Sequence, residues 1–159
     1  MKSSVATSGS LALGILLALA PTGRSFAQAE DATTPEVLKV VRAYVDARNR
    51  PDPTAVMDLF SHQENVMSIA GGEVTKGWEA IKARLEKDVA DSGLARLVPG
   101  SMEVRPMGDQ HALVFVPISM VRPGVFGEQK TTGQMLLVLE KEQVGWRIVN
   151  RLVSQKCGP

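Results

Sequence analysis

The sequence predicts an α+β domain in which three N-terminal helices pack on a curved, mainly antiparallel β-sheet. Residues 35–48 and 77–91 repeat apolar side chains at the 3.6-residue spacing of amphipathic helices. From residue 96 onward the chain consists of long strand-like segments separated by turns rich in glycine, proline and aspartate. Helices first and a meander of strands afterwards favour a sheet wrapped on the helices.

The first helix is predicted to begin at Thr34 and to end near Arg48. Thr34 can cap the helix, Pro35 suits its first position, and Glu36 favours the positive end of the helix dipole. The apolar side chains share one face, which we expect to be buried: Val37, Leu38, Val41, Tyr44 and Val45.

A second, short helix is predicted to follow directly. Asn49-Arg50-Pro51 ends the first helix, because the residue before a proline disfavours helical geometry, and Asp52-Pro53 caps the next one. Its apolar side consists of Val56, Leu59 and Phe60. Together the two segments predict a helical hairpin.

A β-hairpin and a third helix come next. Residues 65–69 and 73–75 are short extended pieces, and Gly71 and Gly72 between them supply the positive φ angles of a tight turn. The third helix is predicted from about Gly77 to Asp91, with an apolar face formed by Trp78, Ile81, Leu85 and Val89.

Four long strands are predicted for the rest of the chain: Arg96 to Arg105, His111 to Arg122, Gln129 to Lys141 and Gly145 to Ser154. The two central strands are apolar at both parities over residues 112–116 and 135–139, which indicates that both faces of the sheet are covered. One face must pack on the helices, and a second subunit would cover the other, so we predict a homodimer through the sheet face. The alternative is that a strongly curved sheet buries both faces locally.

The first 29 residues have the three-part layout of a Sec-type signal peptide. Lys2 precedes an apolar run over residues 11–20, and Pro21 breaks this run before small residues lead to Ala27-Gln28-Ala29. The run is shorter than the about 20 residues that a helix needs to cross a bilayer. We therefore expect cleavage after Ala27 or Ala29, a single domain over residues 30–159 in the periplasm or outside the cell, and no stable membrane insertion.

The charge balance argues against nucleic acid as a partner, and the cysteine content excludes an internal disulfide. Loss of residues 1–29 removes Lys2 and Arg24 and leaves 16 basic and 17 acidic residues, a net charge near −1 without any run of Lys or Arg. This balance does not attract nucleic acid. Cys157 is the single cysteine and can form no internal disulfide, which leaves an incidental thiol or a disulfide between two subunits.

Four segments carry a resemblance to a known family: Tyr44-Val45-Asp46-Ala47, residues 53–60 ending in Leu59-Phe60, residues 66–81 from Val66-Met67-Ser68-Ile69 to Gly77-Trp78-Glu79-Ala80-Ile81, and Gly145-Trp146-Arg147 through Ser154. In this order and at these separations they resemble the nuclear-transport-factor-2-like superfamily, and within it the small SnoaL-like domains. The resemblance implies a cone-shaped α+β barrel, usually dimeric, that encloses a pocket. Relatives use the pocket for isomerases, cyclases, dehydratases and noncatalytic binding, so the fold does not carry the function.

The positions that carry chemistry in ketosteroid-isomerase-like relatives hold no carboxylate in this chain. Proton abstraction beside a carbonyl needs a carboxylate base and acidic donors in an apolar cavity. The resemblance places the base on Met67-Ser68-Ile69 and the donor acid on Gln134-Met135-Leu136-Leu137. SnoaL-like relatives often have a His where this chain has Leu152. We predict no recognisable catalytic constellation, and the catalytic residues stay unknown.

The two histidines, His62 and His111, indicate neither a metal site nor an activated nucleophile. His111 follows Asp109 at a turn, as solvated residues do, and no nucleophile with an orienting carboxylate can be named around His62. The sequence contains no phosphate-binding loop, dinucleotide fingerprint or zinc motif. We predict no metal and no cofactor.

The remaining feature is a predicted pocket with apolar walls and few polar groups. Methionine side chains adapt to varied apolar ligands, and an amide within an apolar strand orients a ligand if it points inward. Tyr44 would supply a phenol, or it belongs to the core with its hydroxyl at the rim. The candidate ligand-binding residues are Tyr44, Met67, Ile69, Met102, Phe115, Gln134, Met135 and Asn150.

These observations predict an exported domain that binds a small, mostly apolar molecule or acts as a noncatalytic interaction module. One alternative is an isomerase, cyclase or hydratase that uses Tyr44 with His62 or with a carboxylate that the sequence does not place. Another is a structural dimerisation module whose cone is filled by its own side chains. A cavity inside the cone would favour the first two possibilities over the third.

Overall fold

The structure, a computed structural model, describes residues 26–50, 52–92, 95–125 and 127–156. Residues 1–25 of the predicted signal peptide and Cys157 lie outside the described residues. No helix in the described ranges is long and apolar enough to span a membrane.

The first helix, α1, runs over Phe26–Arg48. It begins upstream of Thr34, so the predicted start was wrong. Pro35 lies inside the helix instead of opening it. A proline removes one backbone donor, but the residues before it, Ala27-Gln28-Ala29-Glu30, are good helix formers that allow the helix to continue. The predicted end at Arg48 and the buried stripe of Val37, Val41, Tyr44 and Val45 are confirmed.

The second helix, α2 (Pro53–Met57), has the predicted cap. The Asp52 side chain accepts a hydrogen bond from the Ala55 backbone N–H at 3.0 Å, which satisfies one of the free donors of the first turn. The helix ends at Met57 rather than continuing to Phe60. Leu59 and Ser61 instead form backbone hydrogen bonds with Ile148 at 2.9 Å each, so this segment is held beside a strand of the sheet.

The predicted hairpin and third helix are confirmed. Strands β1 (Met67–Ala70) and β2 (Glu73–Lys76) pair antiparallel, and helix α3 runs over Trp78–Ser92. Gly71 and Gly72 have φ angles of 60° and 82°, the left-handed conformation that a two-residue turn requires.

The predicted strand over Arg96–Arg105 is divided into β3 (Arg96–Pro99) and β4 (Glu103–Met107). Both pair with β5 (His111–Gly124), but residues 100–102 stand opposite only Val116 and Pro117. One extra residue on one strand is a β-bulge, which bends the strand and ends regular pairing. The two last strands are β6 (Gly127–Glu142) and β7 (Gly145–Gln155).

The predicted α+β architecture, helices packed on a mainly antiparallel sheet, is confirmed. The strand order is β2-β1-β7-β6-β5-β3, with β4 also paired to β5, and only β1 and β7 are parallel among the paired strands described. The sheet is open, since β2 and β3 form its two ends. Helix α1 contacts β3, β4 and β7, and α3 contacts β1 and β2.

We call the side of the sheet that meets the helices the inner face, and the opposite side the outer face. Alternate residues of the central strands reach the inner face and are buried: Ala112, Val114, Val116, Met135, Leu137 and Leu139. Their neighbours point to the outer face and are half-buried: Leu113, Phe115, Leu136 and Val138. Along these strands both faces are therefore apolar, but the inner face is fully buried whereas the outer face is half-buried.

Candidate functional site

A β-bulge in β7 brings a charged side chain to the inner face. Leu139 pairs with Ile148, whereas the next residue of β6, Val138, pairs with Asn150, so Val149 is an extra residue. Strand side chains alternate between faces, and one extra residue exchanges the faces of all residues that follow it. After the bulge, Arg151 therefore lies beside Leu137 on the inner face.

Arg151 belongs to a row of polar residues that crosses three strands. Ser68 of β1 pairs with Thr75 of β2 on one side and with Arg151 of β7 on the other. We call these three residues the polar row. Because directly paired residues share a face, the row places two hydroxyl groups and one guanidinium next to each other on the inner face.

The guanidinium of Arg151 has few partners. Its Nη1 donates a hydrogen bond to the Tyr44 hydroxyl oxygen at 3.0 Å, whereas its Nε is buried without a hydrogen-bond partner. Within the described ranges, no carboxylate forms an ion pair with Arg151. A buried donor without a partner and a charge without a counterion both cost folding free energy, so this arrangement needs an explanation.

Tyr44 holds Arg151 in place from the core side. The tyrosine is only 1% exposed, and its ring meets the Phe60 ring edge-on with 6.3 Å between centroids. Only the hydroxyl is available for polar contact, and it accepts from Arg151. Tyr44 thus acts as a positioning residue for the guanidinium.

An inner cavity of about 20 Å³ opens between the polar row and helices α2 and α3. Such a volume holds about one water molecule, well below the roughly 300 Å³ at which ligand pockets begin. The cavity lining combines the polar row, an apolar wall and two charged residues: Ser68, Thr75, Arg151, Val56, Met57, Phe60, Ile81, Leu85, Arg84 and Asp88. The backbone oxygen of Met57 accepts from Trp78 Nε1 at 3.2 Å, which ties the two helices together at this wall.

The charged residues of the lining form a surface ion network at the rim. Arg84 pairs with Glu73, and its Nε donates to Asp88 Oδ1 at 3.0 Å. The hydrogen bonds to Glu73 and then to Asp88 raise the pKa of Arg84. The side chains of Arg84 and Asp88 are 49% and 45% exposed, so solvent screens these pairs, and they hold the rim weakly.

The structure does not bring the eight predicted ligand-binding residues together. Five lie on the outer face: Met67, Ile69, Phe115, Gln134 and Asn150. Met135 is fully buried in the core on the inner face, and Met102 packs on the core from the bulge between β3 and β4. Tyr44 reaches the inner cavity only through Arg151, and none of the eight is among the residues that line it. Ligand binding by these residues stays a prediction.

Sequence reasoning missed the polar residues that line the inner cavity, because the sequence does not show on which face of the sheet they lie. By alternation from Trp146 and Ile148, Asn150 would lie inside and Arg151 outside, and the bulge at Val149 reverses this order. Arg151, directly before the apolar Leu152 and Val153, was one available sign. Ser68 between Met67 and Ile69 was a second one.

The two histidines lie away from the inner cavity. His62 stacks on Trp78 with 4.7 Å between ring centroids, and Lys82 Nζ lies 5.3 Å from the Trp78 centroid. His111 is exposed at the start of β5. In the part of the chain that the structure describes, no three side chains of the His, Cys, Asp or Glu type gather to hold a metal ion.

The fold matches solved structures at low sequence identity. An NTF-2 like protein of unknown function from Shewanella oneidensis MR-1 is 24% identical, with a TM-score of 0.68 over 77% of this chain and 98% of that one. A nuclear transport factor 2 superfamily protein from Salmonella enterica is 21% identical, with a TM-score of 0.70 over 81% and 94%. A ketosteroid isomerase-like protein from Erwinia carotovora atroseptica is 17% identical, with a TM-score of 0.68 over 78% and 96%.

These likenesses show that the chain has the nuclear-transport-factor-2-like fold, as the sequence resemblance predicted. No protein-family model matches the sequence, and a search of curated proteins gives no match. At such identities the similarity covers the fold alone, so the function must be argued from the inner cavity and the outer face.

Proposed function

We propose that this chain is an exported, homodimeric binding domain that holds a small molecule at the inner cavity and performs no catalysis. The observation that supports binding is the half-buried Arg151, which lines the cavity and has a buried Nε donor without a partner. Natural proteins retain such a group where a ligand or a water completes its hydrogen bonds. The apolar wall opposite would contact the rest of the molecule.

The absence of a suitable base in this cavity favours binding over catalysis. Among the described residues of the lining, Asp88 is the one carboxylate, and it is half-exposed and paired with Arg84. An effective general base in an apolar site is held near the reacting atom with its pKa raised by burial. Asp88 is engaged at the rim instead. Its position in the wall is nevertheless the one feature that favours the enzyme alternative.

Dimerisation through the outer face is supported by the half-buried apolar residues there. Leu113, Phe115 and Leu136 border a surface groove of about 320 Å³ together with Glu103 and Arg105. A two-fold interface places one patch against its own copy, so like charges of the patch would repel one another there. Glu103 and Arg105 pair with each other at 2.7 Å, which leaves the patch apolar without a net charge and favours a second copy of this chain as the occupant.

Export to the periplasm or the outside depends on the first 29 residues alone. The charged start, the apolar run and the small residues before Ala29 together support removal of this segment. A cleaved chain would start at Gln28 or at Glu30, inside the range of helix α1. The buried stripe of α1 begins downstream of both sites, so cleavage would leave it intact.

Native mass spectrometry of the full-length gene product, isolated from the extracytoplasmic fraction of expressing cells, tests all three elements. We expect a dimer whose subunit mass corresponds to cleavage after Ala27 or Ala29, and a defined small molecule released on denaturation. A monomer, an uncleaved chain or turnover of the released compound would each contradict one element. A ligand-free dimer that binds none of the compounds tested below would favour the structural module with a filled cone.

A further inference from the structure

We propose that the ligand of the inner cavity is a small organic carboxylate, with its charged end held by Arg151. This inference rests on the proposed binding function and goes beyond it by naming the ligand class. The polar row, the missing counterion of Arg151 and the apolar wall carry it.

The charge of Arg151 selects for an anion. Arginine presents a cationic fork of N–H donors, and within the described ranges the hydrogen-bond acceptor of this one is the Tyr44 hydroxyl. Partial burial of a cation is tolerated best when a counterion accompanies it. A ligand that carries a negative charge would provide what the protein side chains do not.

The shape of the guanidinium selects for a carboxylate among small anions. Nη1 is occupied by Tyr44, which leaves the edge formed by Nε and Nη2 without a partner in the described part of the chain. A carboxylate accepts two parallel N–H bonds from such an edge. Because Nε is buried now, a small rotation of the Arg151 side chain has to accompany binding.

The rest of the polar row completes the recognition. Ser68 and Thr75 pair across neighbouring strands beside Arg151, so their hydroxyl groups are placed to donate to a carboxylate oxygen. Asp88 also lines the cavity and would repel an anion, but it is paired with Arg84 at the rim. Because Arg84 also pairs with Glu73, the rim network carries a net negative charge, and the positive charge of the site belongs to Arg151 in the polar row.

The cavity size limits the ligand to a short one. About 20 Å³ is room for about one water molecule, so a carboxylate end would enter by displacing that water and widening the cavity toward the rim. The remainder would lie against Ile81 and Leu85 or extend past the weak rim pairs of Arg84. We therefore expect compounds with few carbon atoms, such as acetate, propionate or, with opening of the rim, benzoate.

The test is isothermal titration calorimetry of the intact protein with sodium acetate, propionate and benzoate at constant ionic strength. Matched neutral amides, which are acetamide, propionamide and benzamide, serve as ligand controls. We expect at least one carboxylate to bind at least 10-fold more tightly than its amide. Equal affinity for carboxylate and amide would overturn the inference without any variant being needed.

Two arginine variants locate the binding. Arg151→Gln should weaken carboxylate binding at least 10-fold, whereas Arg122→Gln, at an exposed position near the β5–β6 turn, should leave it unchanged. Arg151→Lys keeps the charge but lacks the planar edge, and it should give an intermediate affinity. Unchanged binding in folded Arg151→Gln, or equal loss in Arg122→Gln, would contradict the assignment.

The outcomes separate this inference from the proposed function. If amides bind as well as carboxylates and Leu85→Trp abolishes binding, the cavity is a binding site but the ligand class is wrong. If no compound of either class binds at tens of millimolar concentration, the inference and the binding function both fail. Carboxylate binding that Leu85→Trp leaves intact would place the site elsewhere and would also overturn the inference.

Discussion

The two faces of the sheet carry similar apolar residues, yet they meet different surroundings. On the inner face, Val114 and Leu137 are fully buried under the helices, and the charged residue Arg151 lies beside Leu137. On the outer face, Phe115 and Leu136 are half-buried within a single chain. Half-buried apolar residues at a surface and a half-buried charge beside a core both depart from the usual distribution. On the inner face Arg151 lacks a counterion among the described residues, and on the outer face the apolar side chains lack full cover.

Two neighbouring residues of β6, Leu137 and Leu136, should differ most in how much their replacement destabilises the fold. Leu137→Ala should lower the free energy of unfolding by about 3 kcal/mol, because it leaves a void in a close-packed core. Leu136→Ala should cost less than about 1 kcal/mol in the monomer, because that side chain is already partly hydrated. Urea denaturation at concentrations that dissociate a dimer measures both. Equal losses would mean that the outer face is covered within one chain.

Introduction of a charge on the outer face should separate the subunits. Phe115→Glu would bury an unpaired carboxylate at the interface, so we expect dimer dissociation constants to rise on the order of 100-fold. Gln129→Glu, which adds the same charge at an exposed site near the β5–β6 turn, is the control. Sedimentation velocity over a concentration series gives the constants. A dimer that survives Phe115→Glu would have to use another surface.

Removal of the Tyr44 hydroxyl tests the support of Arg151 on the inner face. Tyr44→Phe should lower the free energy of unfolding by about 1–2 kcal/mol, since it leaves Arg151 Nη1 without its acceptor. The double variant with Arg151→Gln should lose less than the sum of the two single losses. Strict additivity in urea denaturation would show that the two side chains do not act together.

We expect the smallest change in stability from Glu36, which lies where α1 meets the end of the inner face. Glu36 Oε2 accepts from Trp146 Nε1 at 3.0 Å and lies 3.5 Å from Lys141 Nζ. These contacts, the hydrogen bond first, lower the pKa of Glu36 below its ordinary value of 4.5. The carboxylate therefore stabilises the folded state above pH 4.5, and this contribution is lost as pH falls through the lowered pKa.

Thermal unfolding of the wild type and Glu36→Gln across pH 3 to 7 measures that contribution. The difference between the two proteins should be small at neutral pH, because the pair is exposed, and it should shrink below pH 4.5. A difference that grows toward acid pH would reverse the sign of the proposed linkage.

Local sequence chemistry was enough to predict much of the fold. The Asp52 cap, the Gly71-Gly72 turn and the apolar stripes of α1 and α3 depend on residues a few positions apart, and the structure contains them all. The start of α1 was wrong because a proline is compatible with both the first turn and the interior of a helix that continues for other reasons. The division of the predicted strand at residues 100–102 depends on its pairing with β5, which is not a local property.

The candidate site could not be predicted in the same way. The sequence predicted eight pocket residues, including Tyr44, but five of the eight lie on the outer face. Those five were chosen for their chemistry, whereas access to the cavity depends on which side of a strand each residue occupies. Strand parity is set by pairing with distant segments.

Periodicity and turn residues act over short distances, so the amino-acid sequence was enough to predict the order of helices and strands, the α+β class and the apolar character of both sheet faces. The location of Arg151, rather than Asn150, on the inner face depends on how the strands pair. The extra residue at Val149 forms a bulge only when β7 is paired with β6, and this bulge exchanges the faces of every residue after it.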